Sequence, residues 1–139
     1  MTIKKKVLFV CTGNACRSQI AEGVLSYLAD DKFVAYSAGT TPSQVHPLSI
    51  KVMDEWGIDV SHHTSDHWED FLDKEIDIVI TLSTLAQELC PSFPGNVEQL
   101  HWDVPDPFPG WVEDSHFLPK FREVRNIIRG HIETFLQNH

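Results

Sequence analysis

The chain is short of several things, and each shortage excludes a class of protein. Among 139 residues there are only three cysteines, at 11, 16 and 90. That count cannot build a disulfide framework, and it reads as free thiols in a reducing, cytoplasmic setting. No apolar run approaches the ~20 residues of a membrane span. The start, Met1 to Lys6, is basic, but the apolar run after it (Val7 to Val10) is far too short for an export signal. Basic residues are also scarce: 11 Lys and Arg against 20 Asp and Glu give a net charge of -9. Such a surface argues against nucleic acid and anionic membranes as partners. Any anion site in this chain must therefore make its own local positive field. No repeat, low-complexity tract or linker interrupts the sequence, and the length suits one domain, residues 1–139.

What is present alternates. Lys6 to Val10 reads as a buried strand, and Ile20, Ala21, Val24, Leu25 and Leu28 form one helical stripe. Phe33 to Ala38 reads as a second strand, closed by Gly39. His46 to Trp56 reads as a helix with Pro47 in its first turn and Gly57 at its end. A short helix is expected over Asp66 to Leu72, a strand over Asp77 to Leu82, a short helix over Thr84 to Cys90 stopped by Pro91, and a fourth strand over Val97 to Trp102. Asp103 to Pro119 holds four prolines and one glycine and is expected to be a long, functional loop. Lys120 to Gln137 closes the chain as a helix with Phe121, Val124, Ile128, Ile132 and Phe135 on one face. Strands alternating with helices predict an α/β fold, with a parallel sheet between helical layers. In such sheets ligands sit at the carboxyl ends of strands.

The loop after the first strand reads Cys11-Thr12-Gly13-Asn14-Ala15-Cys16-Arg17-Ser18. Small residues let the backbone curl so that successive N–H groups converge on one point. The helix that follows adds the positive end of its dipole. Arg17 brings a planar fork that can take two oxygens of an oxyanion. Five residues between Cys11 and Arg17 let one tight loop place a sulfur below an anion and a guanidinium beside it. The same field favours Cys11 as thiolate, and Ser18 could donate its hydroxyl to that sulfur. Residues 12 to 18 are the expected oxyanion cradle.

The run 11–23 resembles the signature of the low-molecular-weight tyrosine phosphatase superfamily. Gln19 and Glu22-Gly23 resemble its arsenate reductase branch, since the phosphatase branch usually carries proline at the position of Gln19. The resemblance continues through Tyr36-Ser37-Ala38-Gly39, Gly57 to Ser61, Thr64-Ser65-Asp66, Asp77 to Leu82, Cys90-Pro91 and His101-Trp102. It implies a three-layer, flavodoxin-like sandwich with a four-stranded parallel sheet. It also implies Cys11 as nucleophile, Arg17 as oxyanion binder, and a general acid from an Asp-Pro in a late loop. Here that is Asp106-Pro107, with Asp103 the competitor.

The resemblance implies reduction of arsenate to arsenite, through a Cys11–arsenic adduct resolved by a second thiol. The alternative is phosphatase chemistry through a Cys11 phosphocysteine. The reductase branch that uses thioredoxin carries two more cysteines, at the positions of Ser83 and Cys90. Cys90 is kept, but Ser83 cannot carry a disulfide. Either Cys90 resolves the adduct directly, or an external thiol does so (thioredoxin, glutathione with glutaredoxin, or mycothiol), or the chain is a phosphatase. Phe108-Pro109 replaces the paired tyrosines that phosphatases of the family often carry. Cys16 is a second redox candidate, able to pair with Cys11 under oxidation.

No bound cofactor is expected. The partners are arsenate or phosphate and a redoxin, and the chain is expected to act as a monomer. Asn14, Glu22, Ser37 and Asp66 match positions that bind a monovalent cation in some arsenate reductases. A hydrogen-bond network around the loop is the competing reading. His62, His63 and His67 suit a solvated loop better than a metal site. Trp102, Phe108 and Trp111 either rim the pocket or pack it.

Overall fold

Strand β1, Lys5–Cys11, runs through the centre of the molecule, so the last strand residue is Cys11 itself. The computed structural model describes residues 3–139; Met1 and Thr2, the first residues of the basic start, lie outside the described residues. β1 is flanked in parallel by β2 (Phe33–Gly39) and β3 (Ile78–Thr81), and β4 (Glu98–His101) pairs in parallel with β3. The sheet order is β2-β1-β3-β4.

Period-two alternation sorts the side chains of β1. Val7 and Phe9 point into one core with Ile78, Ile80 and Leu82, while Leu8 and Val10 point into another with Val79. Both faces are covered, which is why the strand reads as a continuous apolar run. The thicker layer holds α1 (Arg17–Ala29), α2 (Pro47–Asp54) and α4 (Leu118–Asn138). The thinner holds α3 (Thr84–Leu89) and a 3-10 turn, Trp68–Phe71, where a short helix was expected. The three-layer α/β architecture is the predicted one.

The differences from expectation are local. α2 is shorter than predicted because His46 caps it and Gly57, at φ +74, turns the chain away. α4 starts two residues early, because Pro119 is compatible with a first helical turn. The long loop ends in an unforeseen 3-10 turn, Ser115–Phe117. Glu55, just past α2, bonds Arg122 and Arg125 of α4, and Arg122 first, then Arg125, hold its carboxyl down to about 2. Among the described residues no helix is long and apolar enough to cross a membrane.

This topology positions the site. β2 and β3 lie on opposite sides of β1, so the connections after β1 and β3 part at their carboxyl ends. Cys11 pairs with Gly39 across β2, and Val10 with Thr81 across β3. The loop after β1 opens into that crevice.

Candidate functional site

The loop is held from outside through its carbonyls. Cys11 O accepts from Thr40 N, Thr12 O from Thr41 N, Gly13 O from Ser43 N, Ala15 O from His46 N, and Cys16 O from Ile20 N. Asn14 O accepts from the Gln19 amide at 3.0 Å and from Ser65 Oγ at 3.1 Å. The N–H groups of residues 12 to 16, in contrast, find no protein acceptor among the described residues. With the carbonyls bonded outward, these amides are available to an anion. α1 starts directly at Arg17 with no side-chain cap on its free N–H groups, which adds to the same field.

Asn14 makes the curl. It takes φ +48, a left-handed conformation that asparagine tolerates. Its Oδ1 accepts from Asp66 N at 2.8 Å, and its Nδ2 donates to Ser18 Oγ at 2.7 Å. Ser18 Oγ then has its own hydrogen for Cys11 Sγ, 2.9 Å away and buried. Gly39 is required for a reason the sequence does not display. A Cβ there would meet Thr12 O at 2.6 Å and the Asn14 backbone N at 2.9 Å.

Above the sulfur lies a cavity of about 260 Å³ lined by Cys11, Thr12, Gly13, Ala15, Cys16, Arg17, Asp106, Phe108 and Trp111, with Thr41 and Ser43 at its side. Arg17 donates from one guanidinium nitrogen to Val104 O at 3.2 Å, while the other lies 3.7 Å from Asp106 Oδ2. Asp106 is 56% exposed, at the mouth. Asp103 does not line the cavity: it is 93% exposed and pairs with His101 at 3.2 Å. Phe108 and Trp111 form the rim, whereas Trp102 packs inside against Phe9 and His131.

The other thiols differ in setting. Cys16 lines the cavity wall, but burial pushes its thiol up to about 12. Cys90 ends α3 and lines a separate cavity of about 190 Å³ with Thr81 and His101; burial pushes it up to about 11. Ser83 does reach the loop. Its hydroxyl caps Ala86 N at 3.0 Å and accepts from Thr12 Oγ1 at 3.2 Å.

The four oxygen donors proposed for a cation are linked to one another or share one neighbourhood. Ser37 donates to Glu22 at 2.6 Å, and Asn14 bonds Asp66. Burial first, then Asp66, pushes Glu22 up to about 7, opposed by the Ser37 bond. The histidines need a correction. Among the described residues no group of three His, Cys, Asp or Glu is placed to hold a metal ion, and His62 is exposed. His63, however, is not a solvated loop residue. Its Nδ1 meets Gln19 Oε1 at 2.9 Å, and its Nε2 faces Glu22 Oε2 at 3.4 Å. Because Gln19 Oε1 can only accept, Nδ1 carries the hydrogen and Nε2 turns a lone pair toward Glu22. Burial holds His63 down to about 4, so this contact is no ion pair near neutral pH.

A model of the low molecular weight phosphotyrosine protein phosphatase family matches residues 6–138. The chain belongs to that family. Within it, the chain is 45% identical to arsenate reductase 1 of Staphylococcus epidermidis over 133 residues, 95% of this chain and 96% of that one. A solved arsenate reductase in its oxidized state superposes with a TM-score of 0.82 at 35% identity, covering 96% of this chain and 98% of that one. A low-molecular-weight protein tyrosine phosphatase from T. tengcongensis superposes at 0.78 with 26% identity, covering 98% and 100%. The fold is thus shared by both activities, while sequence identity is higher to the reductases.

Proposed function

We propose that this protein works as one domain in the cytoplasm and reduces arsenate to arsenite. The observation that carries the chemistry is the Cys11 sulfur, bonded to Ser18 beneath a ring of unclaimed amides. Arsenate sits in the loop of residues 12 to 18, with its negative oxygens on the amides and on Arg17. Cys11 thiolate attacks arsenic and forms a sulfur–arsenic bond. The departing oxygen takes a proton from Asp106 and leaves as water. Asp106 is preferred to Asp103 because it lines the cavity beside Arg17.

A second thiolate then attacks the Cys11 sulfur. A disulfide forms, and the electron pair of the sulfur–arsenic bond stays on arsenic, which leaves as arsenite. That thiol comes from outside the chain. Cys90 lines a different cavity, and Ser83, which does touch the loop, has no sulfur. A small thiol such as glutathione or mycothiol fits the open mouth between Thr41, Ser43 and Trp111, with a redoxin to restore Cys11.

A monovalent cation suits the donor set of Asn14, Glu22, Ser37 and Asp66: all are oxygens, and the half-buried Glu22 carboxyl has no cationic partner near neutral pH among the described residues. Its contribution would be to brace the loop.

The test is arsenite formation with three donors: thioredoxin, glutathione plus glutaredoxin, and mycothiol plus its redoxin. An aryl phosphate is assayed in parallel. Arsenite is expected with a small-thiol donor, retained in Cys90→Ser and lost in Cys11→Ser. Brisk phosphate release with no arsenite under any donor would replace this reading with the phosphatase one. Arsenite from thioredoxin alone, abolished by Cys90→Ser, would move the resolving thiol inside the chain.

A further inference from the structure

A buried histidine behind the cavity joins the two loops of the site. His46 is 0% exposed and does not line the cavity. Its backbone N–H donates to Ala15 O of the oxyanion loop at 3.0 Å. Its Nδ1 accepts Leu48 N–H at 3.0 Å, capping α2. The ring hydrogen is therefore on Nε2, which donates to Gly110 O at 2.8 Å. The ring also stacks on Trp111, with centroids 5.3 Å apart and planes 14° apart, and meets Phe108 edge-on at 5.7 Å.

The loop that carries Asp106 is anchored at its start, where Val104 is buried and its O accepts from Arg17 at 3.2 Å, but beyond that point it has little else to hold it. Pro105, Pro107 and Pro109 have no N–H and cannot donate to a backbone ladder. Among the described residues, the bond to Gly110 is the one hydrogen bond that links the backbone of residues 105 to 113 to another element. Gly110 sits at φ +92, a conformation that favours glycine. A side chain from outside must do what the loop's own backbone cannot.

We propose that His46 is a positioning residue for the reaction: it fixes the Asp106 loop over the Cys11 sulfur by tying Gly110, Phe108 and Trp111 to the backbone that also holds the oxyanion loop. The proposal rests on the reading of Asp106 as general acid. A general acid must lie within hydrogen-bond reach of the departing oxygen, and a misplacement of about 1 Å can cost on the order of 10²-fold. A bare helix cap predicts something different. Asparagine caps as well as histidine does, through an oxygen placed much like Nδ1. It is too short to reach Gly110 and has no ring to stack on Trp111.

The experiment is His46→Asn, read three ways. Turnover of arsenate at saturating thiol should fall by roughly 10- to 100-fold, while KM for arsenate and competitive inhibition by inorganic phosphate stay within about twofold, because the oxyanion loop is untouched. Backbone amide order parameters from nuclear magnetic relaxation should fall at residues 108 and 110–112 but not in α2. In an Asp106→Asn background the same substitution should cost nothing further, since the acid is already gone. Gly110→Ala, which strains the turn without touching His46, should reproduce the loss of turnover. Full turnover in His46→Asn overturns the proposal, and so does an equal loss with and without Asp106. An Asp106→Asn variant of full activity would instead remove the acid assignment. The tether would then stand or fall on the order parameters alone, and unchanged values at 110–112 would overturn it.

Discussion

The two loops that meet over Cys11 are built in opposite ways. In the oxyanion loop, carbonyls from Cys11 to Cys16 are bonded and Asn14 and Ser18 are fully buried. In the acid loop, Asp106, Phe108 and Trp111 are exposed, and two side chains from outside tether the backbone, Arg17 at Val104 O and the buried His46 at Gly110 O. The difference follows from the work of each. A field that stabilises developing charge is useful only if it is already in place when the anion arrives. An acid must reach both the departing oxygen and the solvent that returns its proton. A rigid floor and a thinly tethered, open mouth satisfy both needs.

That contrast can be broken from either side. The largest expected effect is at the mouth. Asp106→Asn should lower turnover by roughly 10²- to 10⁴-fold with little change in KM, measured as arsenite formation at saturating thiol. Asp103→Asn should change it by no more than about twofold, and an equal loss there would reverse the assignment.

On the floor, Asn14→Ala removes one buried and one half-buried hydrogen bond and leaves a side chain without polar atoms at φ +48. The bonds and the strain together make a loss of about 2 to 3 kcal/mol in unfolding free energy. Inhibition by inorganic phosphate should weaken by at least tenfold. A variant that loses turnover but binds phosphate normally would show that the floor is less preorganised than the contrast requires.

The smallest effect is beneath the floor. Glu22 titrates near 7 instead of 4.5, so the folded protein binds its proton more tightly than the unfolded chain. The cost of ionising it is absent below about pH 4.5, builds through the range to 7, and is complete above that. Glu22→Gln should therefore melt higher than the parent at pH 8, by an amount equivalent to no more than about 3 kcal/mol, and the gap should close toward pH 4.5. Potassium chloride should raise the parent's melting temperature at pH 8 more than choline chloride does, and should do so less in Glu22→Gln.

Much of this molecule is legible before it folds. The strand alternation, the helix stripes and the order of elements follow from side-chain periods that need only neighbouring residues. The curl from Cys11 to Ser18 is legible for the same reason: its sulfur, glycine, asparagine, arginine and serine all lie within eight positions. Element ends are less legible, because helix starts are set by single residues, His46 as the cap of α2 and Pro119 in the first turn of α4. The packing of His63 is not legible locally, since its partners Gln19 and Glu22 are more than 40 residues away.

The sequence by itself determined the α/β class, the loop and its sulfur, because these rest on local spacing and on the handed geometry of a strand entering a helix. Only the tertiary structure decided which aspartate faces the cavity, why Gly39 cannot carry a side chain, where Cys90 lies relative to Cys11, and that His46 grips both loops. Each of those depends on contacts between segments tens of residues apart. Such contacts are set by how the layers pack, and no local period in the chain records them.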